Sequence, residues 1–189
     1  LYNETNGRSI HPSPVVGAVG LVEDVRRVPR GWRDGDAIYA AFASPASLAG
    51  SEYQARYGEV GGPPPPLDLE AEARLVSLLW QVAPLATLVH DAAEGGLAVC
   101  LAESAIHSGC GASLDIRDDP VELWGEVGGR AVISCAPDSS SEVELLAKEI
   151  GVWLRRVGEA GGDTLLGVEV TRLRDAWQRG VRPHGSDPD

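Results

Sequence analysis

The chain has 189 residues, 43% hydrophobic and 23% charged, and its 28 acidic residues against 16 basic ones leave a formal net charge of −12. That is enough polypeptide for one ordinary domain with a substantial core. So acidic a surface repels polyanions and disfavours nucleic-acid binding, while the longest apolar run, residues 76–89, is interrupted by Gln81 and Pro84 and too short to cross a bilayer.

In chain order, PVVGAVGLVED (residues 14–24) reads as a buried strand, valine-rich, with Gly17 and Gly20 where another backbone could approach. Arg26, Arg27, Arg30 and Arg33 form the only concentrated positive stretch and read as a solvated loop. A composition shift near Asp36 marks a domain boundary, and DAIYAAFAS (residues 36–44) is a second strand. GEVGGPPPPLD (residues 58–68) is a stiff spacer, because consecutive prolines remove backbone donors and favour polyproline II. From Asp68, which can cap, a helix follows with Leu69, Ala73, Val76, Trp80 and Ala83 on one face and Pro84 as its end.

LATLVHD is a short strand, and GLAVCLAESAIHSG a helix of small apolar residues stopped by Gly109. ASLDI (residues 112–116) and RAVISCA (residues 130–136) are strands flanking a short helix in PVELWGEV. Ser139 through Glu142 matches a capping box, followed by Val143, Leu146, Ala147 and Ile150 on one face and Gly151 as terminator. VWLRRV and DTLLGVEV suggest two final antiparallel strands, TRLRDAWQRG a closing helix, and residues 181–189 a disordered tail. Helices alternating with strands, plus that terminal pair, predict an α/β (α+β) fold: an α/β/α sandwich with a mixed sheet.

Cys100, Cys110 and Cys135 are an odd number without Cys-x-x-Cys spacing; they read as small buried residues of a reducing compartment, the cytoplasm by default. The densest polar cluster is VHDAAEGGLAV, where a strand ends and a double glycine opens a helix. Free amides at a helix start can accept an anion, which makes Asp91, Glu94, Gly95 and Gly96 anion-binding candidates, although Asp91 or Glu94 could equally cap its own helix. His90 and Asp91 are consecutive on a strand and are expected on opposite faces. No nucleophile elbow, phosphate loop or clustered metal-ligand set is present, so no catalytic or metal-binding residue is nominated.

Four blocks together resemble the synthetase subunit of the phosphoribosylformylglycinamidine synthase family, also called formylglycinamide ribonucleotide amidotransferase. They are LYNETNGRSIHPSPVVGAVGLVED, AGSEYQARYGEVGGPPPPLDLEAEARL, HDAAEGGLAVCLAE and LWGEVGGRAVIS, in the family's order and covering about residues 1–170. Ala92 and Ala93 depart from the family's usual valine-like residue and serine, Ser13 replaces a threonine, and Trp124-Gly125 alters a Phe-Ser variant.

The resemblance implies the tail of a larger enzyme. Residues 1–35 would end a barrel-building domain, and 36–180 would form a carboxy-terminal domain of the aminoimidazole-ribonucleotide-synthetase type. It also implies a purine-biosynthesis ligase that activates formylglycinamide ribonucleotide with ATP and Mg2+ and displaces phosphate with glutamine-derived ammonia. Its partners would be the remainder of the synthetase chain and a glutaminase subunit or domain, with no nucleic acid and no membrane. The family's Ser-Gly-Asn-Val-Ser ligand stretch and its catalytic histidine are absent from this sequence, so neither isolated activity nor tight cofactor binding is expected. Asn3, Glu4 and Thr5 fall nearest that stretch and are substrate- or nucleotide-proximal candidates, or merely shape a turn. The alternative is a non-catalytic binding or scaffold module of the same fold. Other superfamily members, aminoimidazole ribonucleotide synthetase among them, are disfavoured by the Tyr-Asn-Glu-Thr and proline-rich blocks.

Overall fold

Alternation within one six-residue strand decides the architecture. In the computed structural model, which describes residues 4–10, 15–63 and 65–181, β3 (Ala37–Phe42) is buried along its length but for a partly covered Phe42. Ala37, Tyr39 and Ala41 point into one core cluster, Ile38 and Ala40 into the other. A strand apolar on both faces must be covered on both. On the Tyr39 side the cover is α2 (Leu69–Val82) and α5 (Ser140–Ile150). On the Ile38 side it is α3 (Gly96–Ser108) and α6 (Val170–Val181), joined by the buried indole of Trp32. The result is the expected α/β/α sandwich.

The sheet is completed by β4 (Ala86–Asp91), β5 (Ala112–Leu114), β6 (Arg130–Cys135) and β7 (Trp153–Ala160), in the order β4-β6-β3-β7-β5. Every pairing is antiparallel, where the sequence suggested a mixed sheet. VWLRRV and DTLLGVEV do not pair with each other. The former is the start of β7, a full member of the main sheet, and the latter folds on itself as β8 (Thr164–Leu165) and β9 (Val168–Glu169), with positive φ at Leu166 and Gly167 forming the turn.

Beside the sheet stand α1 (Glu52–Tyr57), α4 (Pro120–Trp124) and a hairpin of β1 (Glu4–Thr5) and β2 (Arg8–Ser9), turned by Asn6 and Gly7 at positive φ. Residues 15–24 form no strand: Val15, Val16, Val19 and Leu21 are almost fully exposed. An apolar run is a strand only where it finds a ladder partner, and among the described residues this one finds none. The arginines that follow are a solvated loop, as expected, with Arg26 bonded to Asp24 at 2.9 Å. Residues 181–189 as a disordered tail lie, beyond Val181, outside the described residues.

Helix ends follow their chemistry. Asp68 accepts the amides of Glu70 and Ala71 at 3.0 Å each, a cap of about 1 kcal/mol, and Gly109 and Gly151 stop α3 and α5 in the left-handed region. The capping box at Ser139 is absent. Its backbone is helical rather than extended, because a tight turn over Pro137–Ser139 already feeds α5, and its side chain caps nothing. On α2 the apolar face picked from the sequence is the outward one: Leu69, Val76 and Trp80 are exposed, and Ala71, Leu75, Leu78 and Val82 enter the core.

A buried polar hub fixes the inner end of β3. The Asp36 carboxylate accepts the Arg33 amide at 2.8 Å and the Thr87 hydroxyl at 2.6 Å, and Thr87 Oγ1 meets Ser134 Oγ at 2.7 Å. Three strands are thereby tied at one level. Nearby, the Trp32 indole donates to the Cys110 carbonyl at 2.9 Å.

Amide hydrogen exchange is expected to be fastest over residues 15–24 and slowest over β6, whose ladder is paired on both sides. Protection of residues 15–24 matching that of Val132 and Ile133 would contradict this description. Burial pushes the Cys100 thiol up to about 12 from 9.0. Its stabilising contribution is therefore complete below pH 9 and lost as pH rises from 9 towards 12. Melting temperature should fall across that window, and less steeply in Cys100→Ala; equal slopes would refute the assignment.

Candidate functional site

Three of the sequence blocks, with residues up to 74 positions apart, meet on one carboxylate. Glu126 lies in the loop between α4 and β6, and its Oε1 accepts the amide of Glu52, first residue of α1, at 2.9 Å and the amide of Gly95, just ahead of α3, at 2.8 Å. Its own amide donates to the Ser47 carbonyl at 2.8 Å. Helix starts carry unpaired N–H groups and partial positive charge, so one carboxylate satisfies a donor at two of them at once. Ser51, almost wholly buried, caps α1 from the same loop, accepting the Gln54 amide at 3.3 Å.

Gly96 permits this convergence. With φ at +65°, it lies so close to the loop after α4 that a β-carbon would sit 2.9 Å from the carbonyl oxygens of Leu123 and Gly125. Arg130 locks the other side of the loop. Its buried guanidinium stacks over Phe42 at 5.0 Å and donates to the Gly125 carbonyl at 2.9 Å and that of Glu122 at 3.3 Å. Burial pulls its proton affinity below the usual arginine range while the Glu122 carboxylate pulls it back up.

These elements enclose a cleft of about 510 Å3 at one end of the sheet. Its walls are the proline strap at Pro66, the carboxylates of Glu72 and Asp91, Ser44, Gly129 and the buried Arg130. Glu72 Oε1 is buried without a hydrogen-bond partner, pressed against the glycine turn where a β-carbon on Gly129 would overlap it. The cleft offers charge and backbone for holding a polar ligand. It contains no paired nucleophile and base among the described residues.

Of the anion-binding candidates, Asp91 is exposed on the cleft wall, Glu94 is exposed outside the cleft lining, Gly95 is half-buried with its amide on Glu126, and Gly96 is buried. Glu4 and Thr5 stand in the exposed β1–β2 hairpin, and Asn3 lies outside the described residues. His90 and Asp91 are closer than strand alternation suggests. The strand ends there, so the imidazole bonds the Asp91 carbonyl at 2.8 Å with the carboxylate 3.7 Å away, and Glu103 lies 3.5 Å from its other nitrogen. Glu126, Glu72 and Arg130 were not singled out from the sequence. The signal was Gly-Glu-Val-Gly-Gly-Arg, two charges framed by glycines, each of which marks a close approach. Among the described residues no group of three or more His, Cys, Asp or Glu is placed to hold a metal ion.

The family model for AIR synthase related protein, C-terminal domain, matches residues 33–171. Phosphoribosylformylglycinamidine synthase subunit PurL of Nocardioides sp. is 39% identical over 186 residues, spanning 94% of this chain and 25% of its own length. The subunit PurL of Moorella thermoacetica is 42% identical over 174 residues, 88% of this chain and 24% of its own length. The chain thus spans about a quarter of the length of these relatives. Among solved structures, Thermotoga maritima PurL complexed with FGAR superposes with a TM-score of 0.62 at 16% identity, over 78% of this chain and 29% of that one. Thiamine-monophosphate kinase from Stenotrophomonas maltophilia superposes with a TM-score of 0.51 at 19% identity, over 76% and 53%. At these identities the likeness is one of fold.

Glu126→Ala should leave two helix-start amides unpaired and cost about 2–4 kcal/mol in denaturant unfolding, with Glu126→Gln recovering roughly half. A loss under about 0.5 kcal/mol would mean the carboxylate does not organise the loops.

Proposed function

We propose, for a chain that belongs to the AIR synthase related protein C-terminal domain family, that it serves as the carboxy-terminal part of a formylglycinamide ribonucleotide amidotransferase. What carries the reading is 39% identity to a phosphoribosylformylglycinamidine synthase subunit across 94% of the chain. On this reading residues 1–35 end the preceding barrel-building unit, residues 36–180 are the carboxy-terminal unit, and the chain works in the cytoplasm. The partners are the remainder of the synthetase and a glutaminase that supplies ammonia.

ATP, with Mg2+, would activate the amide oxygen of formylglycinamide ribonucleotide for displacement by ammonia. The resemblance places the family's ligand stretch in the remainder of the enzyme, and on this reading the groups that stabilise the transferring phosphoryl belong there. This chain's part is shape and charge. Glu4 and Thr5 of the hairpin, with Asn3 next to them in sequence, are taken to approach the nucleotide substrate, while Asp91 lines the cleft and Glu94, Gly95 and Gly96 follow it at the start of α3. With Glu126 already on the Gly95 amide, an incoming phosphate must displace a carboxylate or bind beside it. A second reading, a non-catalytic binding module, is favoured by Ala93, where the family carries a serine hydroxyl.

A chimera separates the two. The 189 residues, grafted in place of the matching quarter of the Moorella thermoacetica subunit, are expected to sustain ATP-dependent amidine formation with ammonia supplied directly. The isolated chain should show none. A folded but inactive chimera overturns the first reading, and turnover by the isolated chain contradicts the division of labour.

A further inference from the structure

Behind the cleft wall, titratable side chains from β4 and α3 gather around one imidazole. Nδ1 of His90 lies 2.8 Å from the Asp91 carbonyl and 3.7 Å from the Asp91 carboxylate, and Nε2 lies 3.5 Å from the carboxylate of Glu103 on α3. One turn further along α3, His107 stacks beside it with ring centroids 6.3 Å apart. From α6, Trp177 meets His107 edge-on at 6.2 Å, and Arg174 bonds the Ile106 carbonyl at 3.2 Å. The Cys100 thiol donates to the His90 carbonyl at 3.8 Å, and on β6 the residue opposite His90 is the uncharged Val132. The side chains of His90 and Glu103 are only 22% and 31% exposed, so solvent and salt screen this pair less than an ordinary surface contact.

Both ring nitrogens of His90 thus face acceptors. A carbonyl oxygen cannot donate, so Nδ1 carries a hydrogen, and the neutral ring then turns the bare lone pair of Nε2 towards a carboxylate. Protonation of Nε2 converts that contact into an ion pair and places a positive ring between the charges of Glu103 and Asp91. We propose that His90 is a proton-responsive clamp, which on taking up a proton ties the end of β4 to α3. The cleft shares in the switch, because Asp91, the next residue, lines it. With the ring protonated, the wall is anchored to α3 and part of its negative charge is offset; with the ring neutral, the anchor is weaker and the wall more negative. His107 acts in opposition, since a second imidazolium beside the first repels it, so the two rings titrate as a coupled pair. The sign follows from the partners. The protonated ring has them in the folded chain and not in the unfolded one, so the stability it contributes is present at low pH and is lost as the pH rises through the imidazole range, roughly pH 5–8. None of this depends on which ligand the cleft takes.

Long-range proton–nitrogen NMR of the imidazole rings in the full chain, from pH 5 to pH 9 and with His90 assigned through its backbone, tests this. At pH 5 both His90 nitrogens should carry protons, and on raising the pH Nε2 should lose its proton while Nδ1 keeps one. In Glu103→Gln the midpoint of the His90 titration should move to lower pH by about half a unit. Urea unfolding gives an independent reading. His90→Gln should raise the unfolding equilibrium constant relative to wild type about threefold more at pH 5.5 than at pH 8.5, and in a Glu103→Gln background most of that difference should vanish. Should His90→Gln fail to fold, the titration in Glu103→Gln, a change on the partly exposed side of α3, decides alone. A His90 midpoint that is the same in wild type and Glu103→Gln, a neutral ring with its proton on Nε2, or a His90→Gln variant destabilised equally at both pH values would each overturn the proposal.

Discussion

Two backbone amides that begin two different helices meet on one carboxylate oxygen, at 2.8 and 2.9 Å. Hydrogen bonds to a charged group contribute about 1.5–3 kcal/mol each, and the part-buried Gly95 amide, unlike the exposed amide of Glu52, would carry a penalty if left unpaired. Glu126 therefore does for α3 what a capping side chain does elsewhere, since Gly95 offers none, and at α1 it adds to the cap that Ser51 already provides. The positions of α1, α3 and the loop after α4 are linked through that atom, and Gly96 is the residue small enough to let them close. The mouth of the cleft depends on this knot, which also sets how an external anion competes there, because the helix start is already neutralised from within.

Buried charge follows the same economy on the floor of the cleft. Arg130 cannot be left in an apolar layer without partners, and it has two carbonyls and the face of Phe42. Glu122, on α4, is ion-paired with Arg155 of β7 and also lends its carbonyl to Arg130. A five-residue helix too short to be stable alone is thus pinned to the sheet by two guanidinium groups. Pairing is incomplete even so: Nε of both Arg130 and Arg155 and Oε1 of Glu72 are buried without a hydrogen-bond partner. The position of Glu72 against the glycine turn makes the cleft wall close-packed.

The parts of the fold that were legible from the residues are those governed by local chemistry. Asp68, Gly109 and Gly151 bound their helices because capping and left-handed stops involve only near neighbours. The apolar strands at 37–42 and 130–135 were legible because burial on both faces leaves a continuous run. What failed depended on distant partners. Residues 14–24 have strand composition, but 15–24 find no ladder among the described residues. VWLRRV reads as half of a terminal hairpin, although its ladder partner, β3, lies 111 (Phe42 to Trp153) to 117 (Tyr39 to Arg156) residues earlier. On α2 both faces are apolar, so periodicity alone could not say which one meets the sheet. The cleft was half legible: its loops were marked by glycines and acids, but that Glu126 gathers them is a fact of three dimensions.

A sandwich of this kind is shared by proteins that catalyse different reactions, so the sheet and its helices say where a ligand can lie and not what happens to it. In this chain the close-packed, hydrogen-bonded interior is devoted to holding loops at one end of the sheet, while the groups that would move protons or phosphate are not paired there. Rigid support beside a site whose reactive groups come from elsewhere is a sound division, because positioning tolerates no slack of an ångström. Ala92 is buried and Ala93 exposed at the cleft, and neither side chain takes part in the contacts of Glu126, Gly96 and Arg130 that hold the loops in place.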